Sequence, residues 1–420
     1  MPLDLSRHPC FNDSSRHRFG RVHLPVAPKC NVRCNFCDRK HDCVSESRPG
    51  VSSTLLSPHQ AAAYLDEVVK KSPRIAVVGI AGPGDPFANP TETMETLRLV
   101  RRNHPEMLMC VASNGLAVES FVEEMAELEV SHVTITVNAV DPEIGAKIYA
   151  WVRPEKRAYR GIEGATLMLE RQMAAIAALK RHGITVKINS IIIPGVNDRH
   201  IGEVARRVTE LGADIMNCVP LCPVEGTPFG ELGEPDALEV ARIRGEAGAH
   251  MSLMHHCTRC RADAVGLLGQ STTVELQTLL TNSARLPRRP AEDRPHVAVA
   301  TREGVLVNQH LGEAETLAIY SQTIDGHELV EYRSTPPSGG GATRWRQLAQ
   351  SLHDCRAVLV ASAGKSPRDA LEEAGIDVVM MEGLIVEGLD AVFDNQPIRA
   401  PLRAEHRCGS GCSGDGMGCG

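Results

Sequence analysis

The run Cys30-Asn-Val-Arg-Cys34-Asn-Phe-Cys37 places three cysteines at C-x3-C-x2-C spacing in one short loop. Three thiolates this close can hold three irons of a cubane [4Fe–4S] cluster and leave the fourth iron without a protein ligand. An open iron suits a cluster that binds a small molecule. Ordinary electron-transfer clusters are closed by a fourth cysteine, and zinc sites usually draw their ligands in pairs. Fourteen cysteines are present in all, and several of the others occupy suggestive places. Cys10 lies in a His-Pro-Cys-Phe segment, Cys43 follows the loop closely, and Cys257-Thr-Arg-Cys260 is a C-x2-C pair of the metal-clamp type. Cys10, His23 and Cys110 make one candidate set of three ligands, and Cys43, Cys257 and Cys260 make another. With the loop, that gives three clusters, each with an open iron, as is needed if two of them are substrates that must fuse. Taken singly, His23 on an apolar strand also fits a hydrogen-bonded core histidine, and Cys43 and Cys110 fit small buried residues. Cys218, Cys222 and Cys355 read as packing residues. Cys408, Cys412 and Cys419 fall in a glycine-rich tail that would place ligands poorly.

The elements that must position these groups follow from pattern and composition. A net charge of −7 and 3% aromatic residues argue against nucleic acid as a partner. No apolar run reaches the ~18 residues of a membrane span, and the opening Met-Pro-Leu-Asp-Leu-Ser-Arg-His lacks the apolar core of an export signal. A cytoplasmic chain with reduced thiols is expected, so metal outranks disulfides as the reason for the cysteines. From about 19 to 260, candidate strands at 20–26, 75–81, 107–113, 132–138, 184–192 and 214–220 alternate with amphipathic stretches at 57–71, 91–103, 117–128, 166–182, 198–210 and 235–249. Alternating βα units predict a parallel sheet with helices outside it. Six units fit a partial (β/α)6 TIM-like barrel, with a doubly wound sheet as the alternative. Residues 1–280 are thus expected to form the barrel with its N-terminal cluster-binding segment, and 281–294 a polar, proline-bearing linker. Residues 295–400 read as a small α/β domain with strands near 296–300, 304–308, 316–321, 328–333, 356–361 and 376–380 and helices near 343–353, 366–374 and 384–393. Residues 401–420 form the Gly/Cys-rich tail. Because strand side chains alternate, Cys110 and Asn114 are predicted to face the same way, into the barrel.

The three-cysteine loop, with the aromatic Phe36 before its last cysteine, resembles that of the radical S-adenosylmethionine (SAM) superfamily, in which the open iron chelates the methionine end of SAM. The resemblance implies a SAM pocket beyond the carboxyl ends of the strands, where barrels keep their ligands. Gly82-Pro-Gly-Asp-Pro86 resembles the superfamily's Gly-Gly-Glu-Pro segment, which engages the amino group of SAM, with Asp85 in place of the glutamate and Gly82, Gly84 and Pro86 around it. Ser113, Asn114 and Asn138 at strand ends resemble polar contacts to the carboxylate or ribose. Ile192, within Ile191-Ile-Ile-Pro-Gly195, resembles an apolar wall for the adenine. Each of these alone also fits a satisfied strand-end group or plain core.

A closer resemblance covers essentially the whole chain. Cys10, His23, the Cys-Asn-x-x-Cys-Asn-Phe-Cys loop, the Asp38-to-Gly50 continuation with Cys43 and Glu46, and His256-Cys-x-x-Cys260 together resemble the NifB family of nitrogenase cofactor maturases. The part from about 295, with Asn308-Gln-His310-Leu-Gly, resembles the small NifX-type cofactor carriers of ribonuclease H-like fold. This resemblance implies an enzyme that fuses two [4Fe–4S] substrate clusters and inserts a SAM-derived carbide and a sulfur. Glu46 would be its acid or base, unless it merely pairs with an arginine such as Arg48. The implied partners are iron–sulfur assembly donors, a reductant such as ferredoxin or flavodoxin, and nitrogenase-pathway carrier or scaffold proteins. Two other functions compete: a radical SAM peptide-modifying enzyme with auxiliary clusters, and a non-enzymatic iron–sulfur carrier. The former usually keeps its extra cysteines in a C-terminal extension, whereas Cys10, His23, Cys43 and Cys110 lie within or before the barrel. The latter leaves the open-iron loop without a purpose.

Overall fold

The computed structural model describes residues 3–41, 48–257, 260–270, 272–286, 294–323 and 326–393. Two compact units divide between Arg285 and Leu286. Among the described residues no helix is long and apolar enough to cross a membrane.

The first unit is built on a seven-stranded sheet in the order Ile215–Pro220, Thr185–Ile192, Val130–Thr136, Leu108–Ser113, Ile75–Ile80, Gly20–His23 and Val265–Gly266. The first six strands run parallel, as the βα alternation requires, and curl into a half barrel. Only Val265–Gly266 is antiparallel, against Gly20–His23. Ile75–Ile80 is buried at all six positions, as befits a strand covered on both faces. Helices cover the convex side. Pro58–Lys71 starts at a Ser57/Gln60 capping box, and Gly161–Arg181, Ile201–Glu210 and Ala237–Gly248 bury one face each. The core between sheet and helices takes Val22, Val78, Ile80, Met109, Val111, Val133, Ile135, Val186, Ile188 and Ile192. The intervening residues of each strand therefore face the concave interior.

Several elements escaped the periodicity. The short strand Tyr149–Val152 pairs with Val32–Cys34 across more than a hundred residues, and the preceding helix Pro142–Ile148 is only seven residues long. Helix Val274–Ser283 runs through the first residues of the expected linker, burying Leu276 and Leu280 in the core. Polar Thr and Asn side chains along its exposed side made that end read as loop.

The second unit carries a five-stranded sheet in the order Gly326–Ser334, Thr316–Thr323, His296–Val299, Cys355–Val360 and Asp377–Met380. Alternate residues of His296–Val299 feed two cores, Ala298 into one and Val297 and Val299 into the other. Helices Gly341–Ser351 and Lys365–Glu373 border the first core, and Ile385–Phe393 the second.

Candidate iron–sulfur and SAM centre

The cysteine loop leaves the concave mouth of the sheet and is held on three sides. Beneath it, the Gly84 and Asp85 amides donate to the carbonyls of Ala27 (2.6 Å) and Lys29 (2.8 Å). A Cβ on Gly84 would lie 2.0 Å from the Lys29 oxygen, so only glycine lets the two segments approach this closely. Beside it, Val32–Cys34 forms a ladder with Tyr149–Val152, extended by Asn35 N–H to the Ile148 carbonyl at 2.8 Å. Above it, Phe229 N–H reaches the Asn35 carbonyl at 3.1 Å. Cys30, Cys34 and Phe36 pack on an apolar cluster that includes Ile148, Tyr149, Ile193 and Leu221, with Ile191, Val196 and Phe229 at its edge.

Burial pushes the Cys30 thiol up to about 11 and raises those of Cys34 and Cys37. The next causes at Cys34 are Cys37 and Cys30 themselves, so the three sulfurs crowd one another. Thiols so placed resist ionisation until a cationic iron core compensates their charge. Half-buried and mutually close, with no fourth cysteine in the C-x3-C-x2-C loop itself, they fit a cubane with one open iron.

Asp85, expected at the amino group of SAM, lies between the ends of two strands. It is buried, its Oδ1 accepts from Phe87 N–H at 2.9 Å, and its Oδ2 accepts from Asn114 N–H at 2.7 Å and the Ser113 hydroxyl at 2.9 Å. Each oxygen already accepts a hydrogen bond, so Asp85 ties two strand ends together at the mouth of the sheet. Ser113 shares that tie: its buried hydroxyl donates to Asp85 and accepts from Gly115 N–H. The Asn114 amide donates to Asn31 Oδ1 at 2.7 Å and comes within 3.9 Å of Cys30 Sγ, which clamps the cysteine loop. Ile192 does not face the mouth as expected. It is fully buried on the helix side, while Ile191 lies against the cluster that packs the cysteines. A one-residue shift on a strand exchanges the faces. Gly82, at φ +130°, occupies backbone space open to glycine, and Pro86 opens the turn Pro86–Ala88. Asn138 Oδ1 accepts from Ile191 N–H at 2.9 Å. Its Nδ2 and the Tyr149 hydroxyl are buried side by side, with Gln172 and Asn138 the polar neighbours of that hydroxyl.

A second group of ligand-type side chains lies on the concave face. His23, Gly79 and Cys110 stand side by side on three adjacent strands. A Cβ on Gly79 would come within 2.8 Å of the His23 ring and 3.3 Å of Cys110 Sγ, so the glycine clears the space between them. His23 Nδ1 lies 2.8 Å from the Arg261 carbonyl, which can only accept; Nδ1 therefore carries the proton and Nε2 offers its lone pair. Burial, then Arg21, pushes His23 down to about 4, keeping it neutral. Cys10 approaches from below, its N–H donating to His8 Nδ1 at 3.2 Å. Burial lifts Cys10 to about 11 and Cys110 to about 12, and each sulfur feels the charge of Cys260. Cys260 Sγ accepts from Arg21 Nη2 at 3.0 Å. His256 Nε2 sits 2.9 Å from the Pro9 carbonyl and fastens the Cys257 segment to the Cys10 segment. The two expected ligand sets are thus neighbours on one wall, as far as they are described. Cys43 and Glu46 lie outside the described residues, as do Cys408, Cys412 and Cys419. Among the described residues no three His, Cys, Asp or Glu side chains close on a single-ion site, and a cubane spreads its ligands wider than one ion does. Cys218 and Cys355 are buried in cores. His310 Nδ1 accepts from Gly312 N–H at 2.9 Å.

Sequence reasoning missed His8, Phe11, Gly79, His132 and Lys187, all of which line or support this face. The available signal was parity: His132 and Lys187 are inward residues on strands whose outward residues are aliphatic.

Comparison with known proteins agrees with both units. The Radical SAM superfamily matches residues 24–208, and the family described as dinitrogenase iron-molybdenum cofactor matches residues 294–395. The FeMo cofactor biosynthesis protein NifB of Chlorobaculum tepidum is 55% identical over 423 residues, covering 100% of both chains. Its counterparts are 40% identical in Frankia alni (91% of this chain, 86% of that one) and 40% identical in Klebsiella pneumoniae (88% and 86%). This chain therefore belongs to the NifB family of FeMo cofactor biosynthesis proteins, radical SAM enzymes that bind a [4Fe–4S] cluster and SAM.

Proposed function

We propose that the half barrel converts two [4Fe–4S] substrate clusters into an eight-iron, carbide-centred precursor of the FeMo cofactor, taking the carbon from the methyl group of SAM. The observation that supports this best is that His23 and Cys110 stand side by side on the sheet whose mouth carries the three-cysteine loop, with Cys10, Cys257 and Cys260 within electrostatic reach of them. A peptide-modifying radical enzyme would be expected to carry such extra ligands in a C-terminal extension, whereas Cys10, His23 and Cys110 lie within or before the half barrel.

In this reading Cys30, Cys34 and Cys37 hold the resident cluster, which, when bound, supplies the electron that cleaves SAM to methionine and a 5′-deoxyadenosyl radical. Asp85, Ser113 and Asn114 fix the strand ends under that loop, Asn138 and Tyr149 offer polar atoms to SAM, and Ile191 borders its apolar part. Cys10, His23 and Cys110 hold one substrate cluster; Cys257 and Cys260, with Cys43, hold the other. Each set leaves an iron open for what is built between them. Glu46 serves as an acid or base beside the clusters. SAM is consumed twice, once as methyl donor to a cluster sulfide and once as radical source. The protein's work is to hold the centres in register and keep water out. The second unit acts as a carrier for the product, and assembly donors, a ferredoxin- or flavodoxin-type reductant and scaffold proteins act as partners. Labelling the methyl group of SAM with carbon-14 tests the reading. Label is expected in the isolated iron–sulfur product; label found only in methionine or in methylated peptide would replace it with a peptide-modifying activity.

A further inference from the structure

Lys187 stands on the inner face of the half barrel, on strand Thr185–Ile192, opposite Thr134 of the next strand. It is only 9% exposed, and a lysine is almost never so buried unless something pairs with it. Among the described residues no carboxylate does so. Its Nζ instead lies 5.3 Å from the centroid of the Phe11 ring. Phe11 packs on His8 at 4.7 Å and on His132 at 4.3 Å, and the two histidine rings are 4.3 Å apart. These rings connect directly to the candidate ligands. His132 is the register partner of Cys110, and His8 accepts from the Cys10 amide. The His8 Nε2 is buried without a hydrogen-bond partner. The Lys187 charge is felt at Cys10, Cys110, His23 and His8 alike.

A buried cation surrounded by neutral rings is costly in the empty protein. The face of the Phe11 ring offsets part of that cost, and a ligand rich in negative charge would offset the rest. A cubane meets this requirement, because its bridging sulfides are electron-rich and accept N–H hydrogen bonds. Such bonds and nearby positive charge raise the reduction potential. We propose that Lys187 is the counter-charge of the iron–sulfur substrate bound at Cys10, His23 and Cys110, directing its ammonium at the sulfur face of that cluster and favouring its reduced form. This rests on the ligand assignment proposed above. Lys187 is a positioning residue: it forms no bond to iron and transfers no proton. A fixed cation here also lessens the repulsion between two reduced clusters brought into one cavity.

The test uses the full chain with Cys30, Cys34 and Cys37 replaced by alanine, so that only auxiliary iron is observed. It is reconstituted anaerobically with iron and sulfide, then followed by iron counting and by redox titration under electron paramagnetic resonance. Cys110→Ala should lose iron. Lys187→Met should shift the midpoint potential of the remaining signal downward or lose that cluster, and Lys187→Arg should restore wild-type behaviour. Without iron, Lys187→Met should melt at a higher temperature than its parent, because an unpaired buried charge has gone. A merely structural lysine predicts the opposite sign. Unchanged potential and iron content in Lys187→Met, beside iron loss in Cys110→Ala, would overturn the proposal alone, as would failure of the arginine variant to retain the cluster. Undiminished iron in Cys110→Ala would remove the ligand assignment, and this proposal with it.

Discussion

Asp85 and the buried histidines are the residues whose chemistry is most sharply set by their surroundings. Asp85→Asn turns one acceptor oxygen into a donor facing the Asn114 N–H or the Phe87 N–H. Leaving one buried donor unpaired costs roughly 1–3 kcal/mol, so the variant should unfold at lower denaturant concentration and lose SAM affinity through the displaced Asn114. His23 and His132 both titrate near 4 in the folded protein, mainly through burial, against an ordinary value of 6.5. Between those values the unfolded chain binds more protons than the folded one, so stability rises with pH. Their contribution is complete above 6.5 and is lost as pH falls towards 4, on the order of 3 kcal/mol for each. Denaturation of the iron-free protein at stepped pH should show this loss, and His132→Phe should flatten it; an unchanged slope would mean that His132 is charged in the fold. At this scale the sequence was legible where function depends on spacing, as at Cys30, Cys34 and Cys37. It was misleading where the face of a strand decides, so that Ile192, expected at the mouth, lies on the helix side, and the inward Lys187 and His132 passed unnoticed. Nothing local announces that His256 meets Pro9, since that contact joins opposite ends of the half barrel unit.

The strand Ile75–Ile80 is the element that serves both sites. Its end supplies Gly82-Pro-Gly-Asp-Pro86 beneath the cysteine loop, and its Gly79 separates His23 from Cys110. The two glycines therefore make separable predictions. Gly84→Ala drives a Cβ into the Lys29 carbonyl, a backbone atom that cannot yield without moving the loop. It should abolish 5′-deoxyadenosine formation and lower loop-bound iron, while auxiliary iron remains. Gly79→Ala should do the reverse, displacing the His23 ring and lowering auxiliary iron while SAM cleavage persists. Equal losses from both substitutions would show the two sites to be one cooperative structure. The alternation of strands and helices was readable because each parallel strand carries aliphatic residues on its helix side and the covering helices are amphipathic. Tyr149–Val152 was not, because a four-residue strand is defined by its partner and not by its own pattern, and that partner is the cysteine loop itself.

Each unit of the chain has its own sheet and its own buried clusters, so the division of labour can be tested by cutting between them. The position of the cut matters. Helix Val274–Ser283 belongs to the first unit: Leu276 and Leu280 enter its core, Glu275 pairs with Lys71, and Gln60 Nε2 donates to the Ala284 carbonyl at 3.0 Å. A chain ending near 290 keeps all of these contacts, whereas one ending near 270 strips the helix from Pro58–Lys71. Burying two leucines is worth about 1.5–3 kcal/mol each, and the Gln60 amide would lose its acceptor. The shorter chain should therefore unfold at clearly lower temperature and load iron poorly. The chain ending near 290 should match the full protein in iron content and SAM cleavage, and should still form the carbon-14-labelled product. Any deficit should fall on transfer of that product to an acceptor. If the longer truncation folds and loads iron yet makes no labelled product, the second unit takes part in the chemistry, and the carrier assignment is wrong.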